Sequence, residues 1–131
     1  MLMVRHVMIE DALTVDPDTP LKEIVEMLWK KHVGSIIITD SKNKCKGIFT
    51  ERDLVRIVAQ GKSLETPIKK VMTTNVVTIG EEASIEEARG LIITHNVRHL
   101  PVVNSKGELK GLFSIRKFLD DFFGLRSSKY C

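Results

Sequence analysis

An internal duplication constrains the fold of this chain more than any other feature of its sequence. Residues 4–55 align with residues 68–119 at a constant offset of 64 positions and without a gap. Eleven aligned pairs are identical, including Gly47 with Gly111, and most apolar residues of the first segment have an apolar counterpart in the second. A repeat of this kind indicates one supersecondary unit used twice. At 131 residues, the chain is one ordinary domain or two half-size units that share a core.

The pattern of apolar residues predicts the same order of elements in both halves, namely strand, helix, strand, strand, helix. In the first half we expect strands at 12–15, 35–39 and 46–49, and helices at 20–32 and 51–59. In the second half we expect strands at 76–79, 99–103 and 109–113, a helix that Ser84 caps, and a last helix at 115–125. The expected cap of the first helix is Thr19. Pro101 favours an edge or opening position on one side of its strand, because proline has no N–H to donate.

The stretch 46–54 joins an apolar strand to a helix. Thr50 is a candidate N-cap, and Asp53 is an acidic residue in the first turn, which is a variant of the capping box. The start of such a helix presents unsatisfied backbone N–H groups, which can hold a phosphate. Thr50 and Asp53 could equally do no more than cap the helix, and the stretch by itself leaves both alternatives open.

Composition excludes several classes of protein. The chain is 43% hydrophobic, and no apolar run approaches the length that crosses a membrane. We expect no secretory signal, because the first nine residues are too few and carry charge. Cys45 and Cys131 match no metal or redox spacing, so a reduced, cytoplasmic setting fits best. We expect no metal at His95 and His99, since a strand begins between them.

The ordered motifs resemble a tandem pair of cystathionine-β-synthase (CBS) domains, the two-repeat regulatory unit called a Bateman module. The second half carries this resemblance at 71–73, 76–79, 96–103 and 111–114, and the first half carries it at 47–53. We divide the chain into a first repeat at 1–60, a linker at 61–67, a second repeat at 68–125 and a tail at 126–131. No residues remain for a catalytic or effector domain, so we expect a free-standing module.

The resemblance implies an α+β fold in which two βαββα repeats are related by a pseudo-twofold axis, with small sheets packed against helices. It also implies adenosine-containing ligands, such as AMP, ADP, ATP or S-adenosylmethionine, in two clefts between the repeats. We expect the first cleft to be formed by ten residues from both repeats: Ile48, Thr50, Arg52, Asp53, Asn75, Val76, Val77, Val97, Arg98 and His99.

The chemistry of these residue types agrees with the implied ligand. The Asp53 carboxylate suits both ribose hydroxyls, and Thr50 at a helix start suits a phosphate. Arg52, Arg98 and His99 are the candidate charges for that phosphate. The alternative for Arg98 and His99 is a solvated basic pair beside a strand.

The second cleft departs from the family pattern. Lys117 stands where a ribose-binding Asp is expected, and lysine has no acceptor. Gly34 and Ser35 stand where the other half has Arg98 and His99. The second cleft, if it binds a ligand at all, would be formed by six residues: Ala12, Leu13, Val33, Ser35, Ser114 and Lys117. It is either empty or takes a ligand differently, with Lys117 on a phosphate.

Three functions compete on this evidence. The first is a regulatory module that senses an adenosine-containing ligand and needs no cofactor, metal or catalytic residue. The second is a structural or protein-interaction module with vestigial clefts, and the third is a nucleic-acid-binding module. A net charge of +3 and the lack of a basic recognition helix count against the third. We expect a homodimer formed by apolar stripes on the last helix of each repeat, and an effector protein as a further partner.

Overall fold

The protein is described here from a computed structural model, which describes residues 1–124. The first repeat comprises β1 (Thr14–Val15), α1 (Leu21–Lys31), β2 (Ser35–Thr39), β3 (Cys45–Thr50) and α2 (Glu51–Ala59). The second comprises β4 (Ile79–Gly80), α3 (Ile85–His95), β5 (His99–Val103), β6 (Leu109–Ser114) and α4 (Ile115–Phe122). The α+β class and the βαββα order are therefore confirmed. The expected tail at 126–131, together with Leu125, lies outside the described residues. Within residues 1–124, no helix combines the length and apolar character needed to span a bilayer.

Each repeat forms a three-stranded sheet with the same topology and register. In the first sheet, β2 is the middle strand and pairs parallel with β1 and antiparallel with β3. In the second, β5 takes the same place between β4 and β6. Ser35 lies opposite Thr50 in the first sheet, and their counterparts His99 and Ser114 lie opposite each other in the second. The duplication in sequence is thus a pseudo-twofold symmetry in space.

The linker, and not a side-chain cap, defines the start of α1. We expected Thr19 to cap this helix, but the N-cap is Pro20 and no side chain makes the capping hydrogen bond. The first two helical N–H groups instead donate to linker carbonyls, from Leu21 to Thr66 at 2.8 Å and from Lys22 to Leu64 at 2.9 Å. The Thr19 expectation was wrong because these linker contacts satisfy the orphan donors of the first turn.

Pro101 lies in β5, the middle strand of its sheet, and the expected opening on one side of this strand lies at Pro101 itself, where β4 has not yet begun. In the first repeat, the equivalent Ile37 donates its N–H to the carbonyl of Leu13 at 3.0 Å. Proline cannot make this bond. The neighbouring strand β4 starts only at Ile79, shorter than the expected 76–79, so the missing donor faces a segment that has not yet become a strand. The first strand is also shorter than expected, since β1 begins at Thr14.

Each repeat begins with a lead-in segment, residues 4–9 in the first and residues 68–73 in the second. Each lead-in segment packs into the hydrophobic core of the opposite repeat. The first core contains buried residues of its own repeat: Leu21, Ile24, Leu28, Ile36, Ile38, Phe49 and Ile57. It also contains Ile68 and Val71, which belong to the second repeat in sequence. The second core in turn contains fully buried Val4 from the first repeat. Neither core is complete without the other half of the chain.

Backbone hydrogen bonds fix this exchange at two equivalent places. Ile48 of β3 and Thr73 exchange both N–H···O bonds at 3.0 Å. Ile9 and Leu112 of β6 do the same at 2.8 and 2.9 Å. Each lead-in segment therefore adds a short antiparallel bridge to the last strand of the opposite repeat.

Two glycines admit the lead-in segments because they have no Cβ. A Cβ at Gly47 would collide with the side chain of Met72, and one at Gly111 would meet Met8 Sδ at 2.8 Å and the Ile9 carbonyl oxygen at 2.7 Å. Such a close approach is one of the uses of glycine within a strand. The identity of these four residues in the two halves follows from this contact.

The interface between the repeats is closed at its hairpin end and open at the other. The turns before β3 and β6 meet where Asn43 and Leu109 form two hydrogen bonds, Leu109 N–H to the Asn43 carbonyl at 2.9 Å and Asn43 Nδ2 to the Leu109 carbonyl at 3.1 Å. Lys44 and Glu108, which occupy equivalent positions in the two repeats, form an isolated antiparallel β-bridge there. The opposite end, where β3 and β6 run into α2 and α4, is left for a cavity.

We predict that alanine affects three glycines differently. Gly111→Ala should lower the free energy of unfolding by about 1–3 kcal/mol, because the new methyl group meets backbone as well as a side chain. Gly47→Ala should cost about 1 kcal/mol or less, because it meets only the flexible Met72 side chain. Gly90→Ala, on α3 with nothing within 4 Å, should stabilise by about 0.5–1 kcal/mol.

Urea unfolding followed by circular dichroism gives all three changes in free energy, provided that the dependence of that energy on urea concentration (the m-value) is the same in each variant. A Gly111→Ala protein as stable as Gly47→Ala would contradict the close approach of the Ile9 backbone.

Candidate functional site

The junction of β3 and α2 forms a capping box, as the sequence predicted. Thr50 Oγ1 accepts the N–H of Asp53 at 3.3 Å, and Asp53 Oδ2 accepts the N–H of Thr50 at 2.9 Å. These bonds satisfy orphan donors at the start of the helix. Thr50 and Asp53 therefore cap α2, and this role leaves open whether the Asp53 carboxylate also accepts a ligand.

The second carboxylate oxygen of Asp53 faces the opposite repeat. Thr73 Oγ1 donates to Asp53 Oδ1 at 3.4 Å, and Arg56 Nη2 lies 3.5 Å from the same oxygen. The side chain is 15% exposed. Asp53 Oδ2 also accepts the Thr50 hydroxyl at 3.2 Å, so four donors lie around the two carboxylate oxygens. A ligand hydroxyl can replace the longer contacts at Oδ1 without breaking the cap, which depends on Oδ2.

A cavity of about 470 Å³ lies between the repeats at the open end of their interface. Seven of the ten residues expected in the first cleft line it: Ile48, Thr50, Arg52, Asp53, Val97, Arg98 and His99. The sequence analysis did not assign to this cleft the other lining residues: Gly34, Glu51, Thr73, His95, Asn96, Ser114 and Arg116. The cavity falls within the size range of small-molecule sites.

The cavity wall does not include Asn75, Val76 and Val77, the other three residues expected in the first cleft. Asn75 is exposed, and Val77 packs against the second core. Thr73 takes their place at the wall through its bridge to Ile48. The sequence analysis placed a strand over 76–79, whereas this segment is irregular as far as Ile79.

The residues expected in the second cleft lie in different surroundings. Leu13 packs against the first core, and the preceding residue, Ala12, is half-buried. Val33 lines a smaller pocket of about 380 Å³ next to Trp29. Ser114 lines the main cavity, with its Oγ accepting the N–H of Lys117 at 3.3 Å. Ser114 therefore belongs to the same space as Thr50.

Lys117 and Ser35 make contrasting contacts. Lys117 Nζ donates to Asp121 Oδ2 at 2.6 Å on its own helix. Ser35 is 4% exposed, and its Oγ has no hydrogen-bond partner among the described residues. Residues directly opposite in a sheet point to the same face, so the hydroxyl lies on the face that Thr50 presents to the second repeat.

Cationic side chains dominate the cavity wall. Arg52, Arg98 and Arg116 line it, opposed by the carboxylates of Glu51 and Asp53. Arg52 also spans the interface, because its Nη1 donates to the carbonyl of Asn96 at 3.3 Å. Sequence reasoning did not assign Arg116 to a site, although its identity with Arg52 under the duplication was the signal that could have found it.

The described residues show no sign of redox or metal chemistry. Burial raises the pKa of the Cys45 thiol, and this exceeds the opposite effect of the Gly47 backbone. A thiol of raised pKa is a poor nucleophile near neutral pH. Residues 1–124 contain no group of three or more His, Cys, Asp or Glu side chains that could hold a metal ion.

Two like repeats that share one cavity define a paired-repeat module. The chain belongs to the CBS domain family, whose model matches residues 4–60 and 68–124. The matched segments reproduce the duplication and include every residue named in the cavity wall.

Three known proteins illustrate the relationship. An uncharacterised 17.7 kDa protein of Acidianus ambivalens is 33% identical over 102 residues, which cover 78% of this chain and 62% of that protein. Inosine-5'-monophosphate dehydrogenase of Bifidobacterium longum is 35% identical over 113 residues, which cover 86% of this chain but 21% of the enzyme. The chain thus spans less than two thirds of either relative. The structure is also similar to a CBS domain protein of Pyrobaculum aerophilum complexed with AMP, with a TM-score of 0.83, 27% identity and coverage of 88% and 89% of the two chains.

We predict opposite effects for two buried serines of nearly equal exposure, Ser35 at 4% and Ser114 at 3%. Ser114→Ala removes the N-cap of α4 and should lower the free energy of unfolding by about 1 kcal/mol. Ser35→Ala removes an unpaired buried hydroxyl and should leave that energy unchanged or raise it by up to about 1 kcal/mol. Thermal and urea unfolding without ligand measure both, and an equal loss in the two variants would mean that the Ser35 hydroxyl has a partner.

Proposed function

We propose that this chain is a regulatory, ligand-sensing module that binds an adenosine-containing ligand in the cavity between its repeats. The observation that carries this proposal is the Asp53 carboxylate at the wall of a cavity that Arg52, Arg98 and His99 also line. The module acts by binding and performs no reaction. AMP, ADP, ATP and S-adenosylmethionine are the ligands to compare.

The chemistry of the wall supports each part of such a ligand. Asp53 can accept hydrogen bonds from ribose hydroxyls, and hydrogen bonds to a charged group are among the strong ones. The arginines and the start of α2 suit a phosphate. Apolar Ile48 and Val97 offer faces for an adenine ring. The AMP complex of the Pyrobaculum aerophilum protein adds support for this ligand class.

A purely structural or protein-interaction module is the second candidate, and exposed apolar residues on the helices favour it. Nucleic acid is a weaker candidate, because the net charge is only +3. The match to inosine-5'-monophosphate dehydrogenase covers 21% of that enzyme, so it gives no support for dehydrogenase activity here. We also propose, from the sequence, that the protein works in a reduced, cytoplasmic setting and that an effector protein is a further partner.

Replacing Asp53 tests the ribose contact. In calorimetry of nucleotide-free protein, Asp53→Ala should weaken binding of the adenosine ligand by about 1.5–3 kcal/mol, the range for hydrogen bonds to charged groups. Asp53→Asn should weaken binding less, because an amide oxygen keeps one acceptor. The wild type is titrated with AMP, ADP, ATP and S-adenosylmethionine to find the ligand.

The control for this experiment is Asp18→Asn, since Asp18 is an exposed aspartate that pairs with Lys69. It should bind as the wild type does. Because Asp53 also caps α2, unfolding of each variant is measured in parallel, and affinity is compared under conditions where all variants are folded. Equal affinity of the wild type and Asp53→Ala would refute the assignment.

We further propose that two chains associate through α2 and α4. Val55 and Val58 on α2 are 71% and 67% exposed, and Phe122 and Phe123 at the end of α4 are 73% and 67% exposed. Apolar side chains of this size on adjacent helical turns form a patch that a partner usually covers. A second copy of the chain presents the same patch, so a self-complementary twofold interface would cover both.

Light scattering at micromolar concentration tests the dimer, for which we expect a mass twice the 14.8 kDa of one chain. Phe122→Glu should give a monomer, because it would place a charge within the interface. Leu64→Glu, on the exposed linker, is the matched control and should leave the mass unchanged. A wild-type mass of one chain, with and without nucleotide, would reject the dimer, and a Phe122→Glu dimer would place its interface elsewhere.

A further inference from the structure

The main cavity extends across the pseudo-twofold axis and does not stop at one repeat. Thr50 and Ser114 are equivalent under the duplication, as are Arg52 and Arg116, and all four line the same space. Thr50 and Ser114 are the N-caps of α2 and α4, and Arg52 and Arg116 are the second residues of these two helices. Two helix N-termini and their arginines therefore face one cavity.

The two halves of this cavity differ in their chemistry. The first turn of α2 contains the acidic residues Glu51 and Asp53, whereas the first turn of α4 contains none. Lys117, at the position equivalent to Asp53, is held by Asp121 on its own helix. The α2 half can accept ribose hydroxyls, while the α4 half has no carboxylate to accept them or to repel an anion.

Small residues leave space between the halves. Gly34 lines the cavity at the position equivalent to Arg98, so no long side chain enters from the first repeat there. The adjacent Ser35 hydroxyl is buried and has no partner among residues 1–124, on the sheet face shared with Thr50. Ser35 itself does not line the cavity, so the open space there comes from Gly34.

We propose that the cavity holds a single nucleotide across the axis, with its nucleoside at Asp53 and its phosphate chain directed to Arg116 and the start of α4. This inference rests on the proposed function and makes it more specific. A monophosphate is held by Arg52, Arg98 and the α2 half. A second or third phosphate reaches Arg116, so the site selects nucleoside di- and triphosphates over monophosphates.

The positive ends of two helices strengthen this selection. A helix N-terminus carries roughly half a positive charge, which is most effective within the first turn. At α2 the two carboxylates offset that charge, and at α4 no acidic side chain does. Each added phosphate brings further negative charge toward the start of α4, whose first turn carries no acidic side chain to repel it.

Calorimetry with adenosine, AMP, ADP and ATP tests the proposal on wild type and on Arg116→Gln. In wild type, ATP should bind at least about tenfold more tightly than AMP, with one molecule per chain. Arg116→Gln should weaken ATP by about tenfold and change AMP by less than about twofold. Arg116→Lys keeps the charge and should retain much of the preference for ATP.

The matched control is Arg89→Gln, since Arg89 is an exposed arginine on α3 that pairs with Glu86. It should bind all four compounds as the wild type does, and thermal unfolding of each variant checks that it is folded. ATP affinity should also fall more steeply than AMP affinity as salt rises.

The outcomes separate this inference from the proposed function. If AMP binds and depends on Asp53, but ATP binds no more tightly than AMP or Arg116→Gln weakens both equally, the function stands and the extended site is wrong. Binding of two AMP molecules per chain would likewise overturn the single composite site. If none of the four compounds binds but S-adenosylmethionine does, the function stands and this inference is wrong. If S-adenosylmethionine does not bind either, both the function and this inference fail.

Discussion

The contact on which the structure most depends is the exchange of lead-in segments between the repeats. A repeat of about 60 residues has only a marginal core by itself. Ile68 and Val71 complete the first core, and Val4 completes the second. The methionine within each lead-in segment packs against a strand glycine of the opposite repeat. The absence of a Cβ there lets the next residue form its backbone bridge to β3 or β6 at the distances observed.

This exchange also decides where a ligand can enter. The lead-in segments and the paired hairpin turns hold the sheets together along β3 and β6 and at the hairpin end. The sheets separate only where β3 and β6 run into helices. Backbone donors at two helix starts, together with arginines from both repeats, therefore face the one open end of the interface. The position of the cavity follows from how the repeats are joined.

The capping box at Thr50 and Asp53 combines stability with recognition. One carboxylate oxygen accepts the N–H of Thr50, and the other faces Thr73 across the interface. A carboxylate held in this way is already oriented before a ligand arrives, which reduces the entropy that binding must overcome. The equivalent Lys117 turns to Asp121 instead, so the cap of α4 persists through Ser114 without an acceptor for ribose. The repeats therefore keep the same fold and differ in their chemistry.

The sequence by itself determined the duplication, the α+β class, the order of elements and the capping box, because these depend on local periodicity and on residues close in the chain. It also identified seven residues of the main cavity, through the family resemblance. Only the tertiary structure decided that Pro101 sits in a central strand, that linker carbonyls start α1, and that Thr73 replaces the segment 75–77 at the wall. It likewise brought Ser114 and Arg116 into the same cavity as Asp53. These outcomes depend on hydrogen bonds and packing between residues that are not neighbours in the chain, such as Ile48 with Thr73 and Leu21 with Thr66, and no local pattern encodes such pairings.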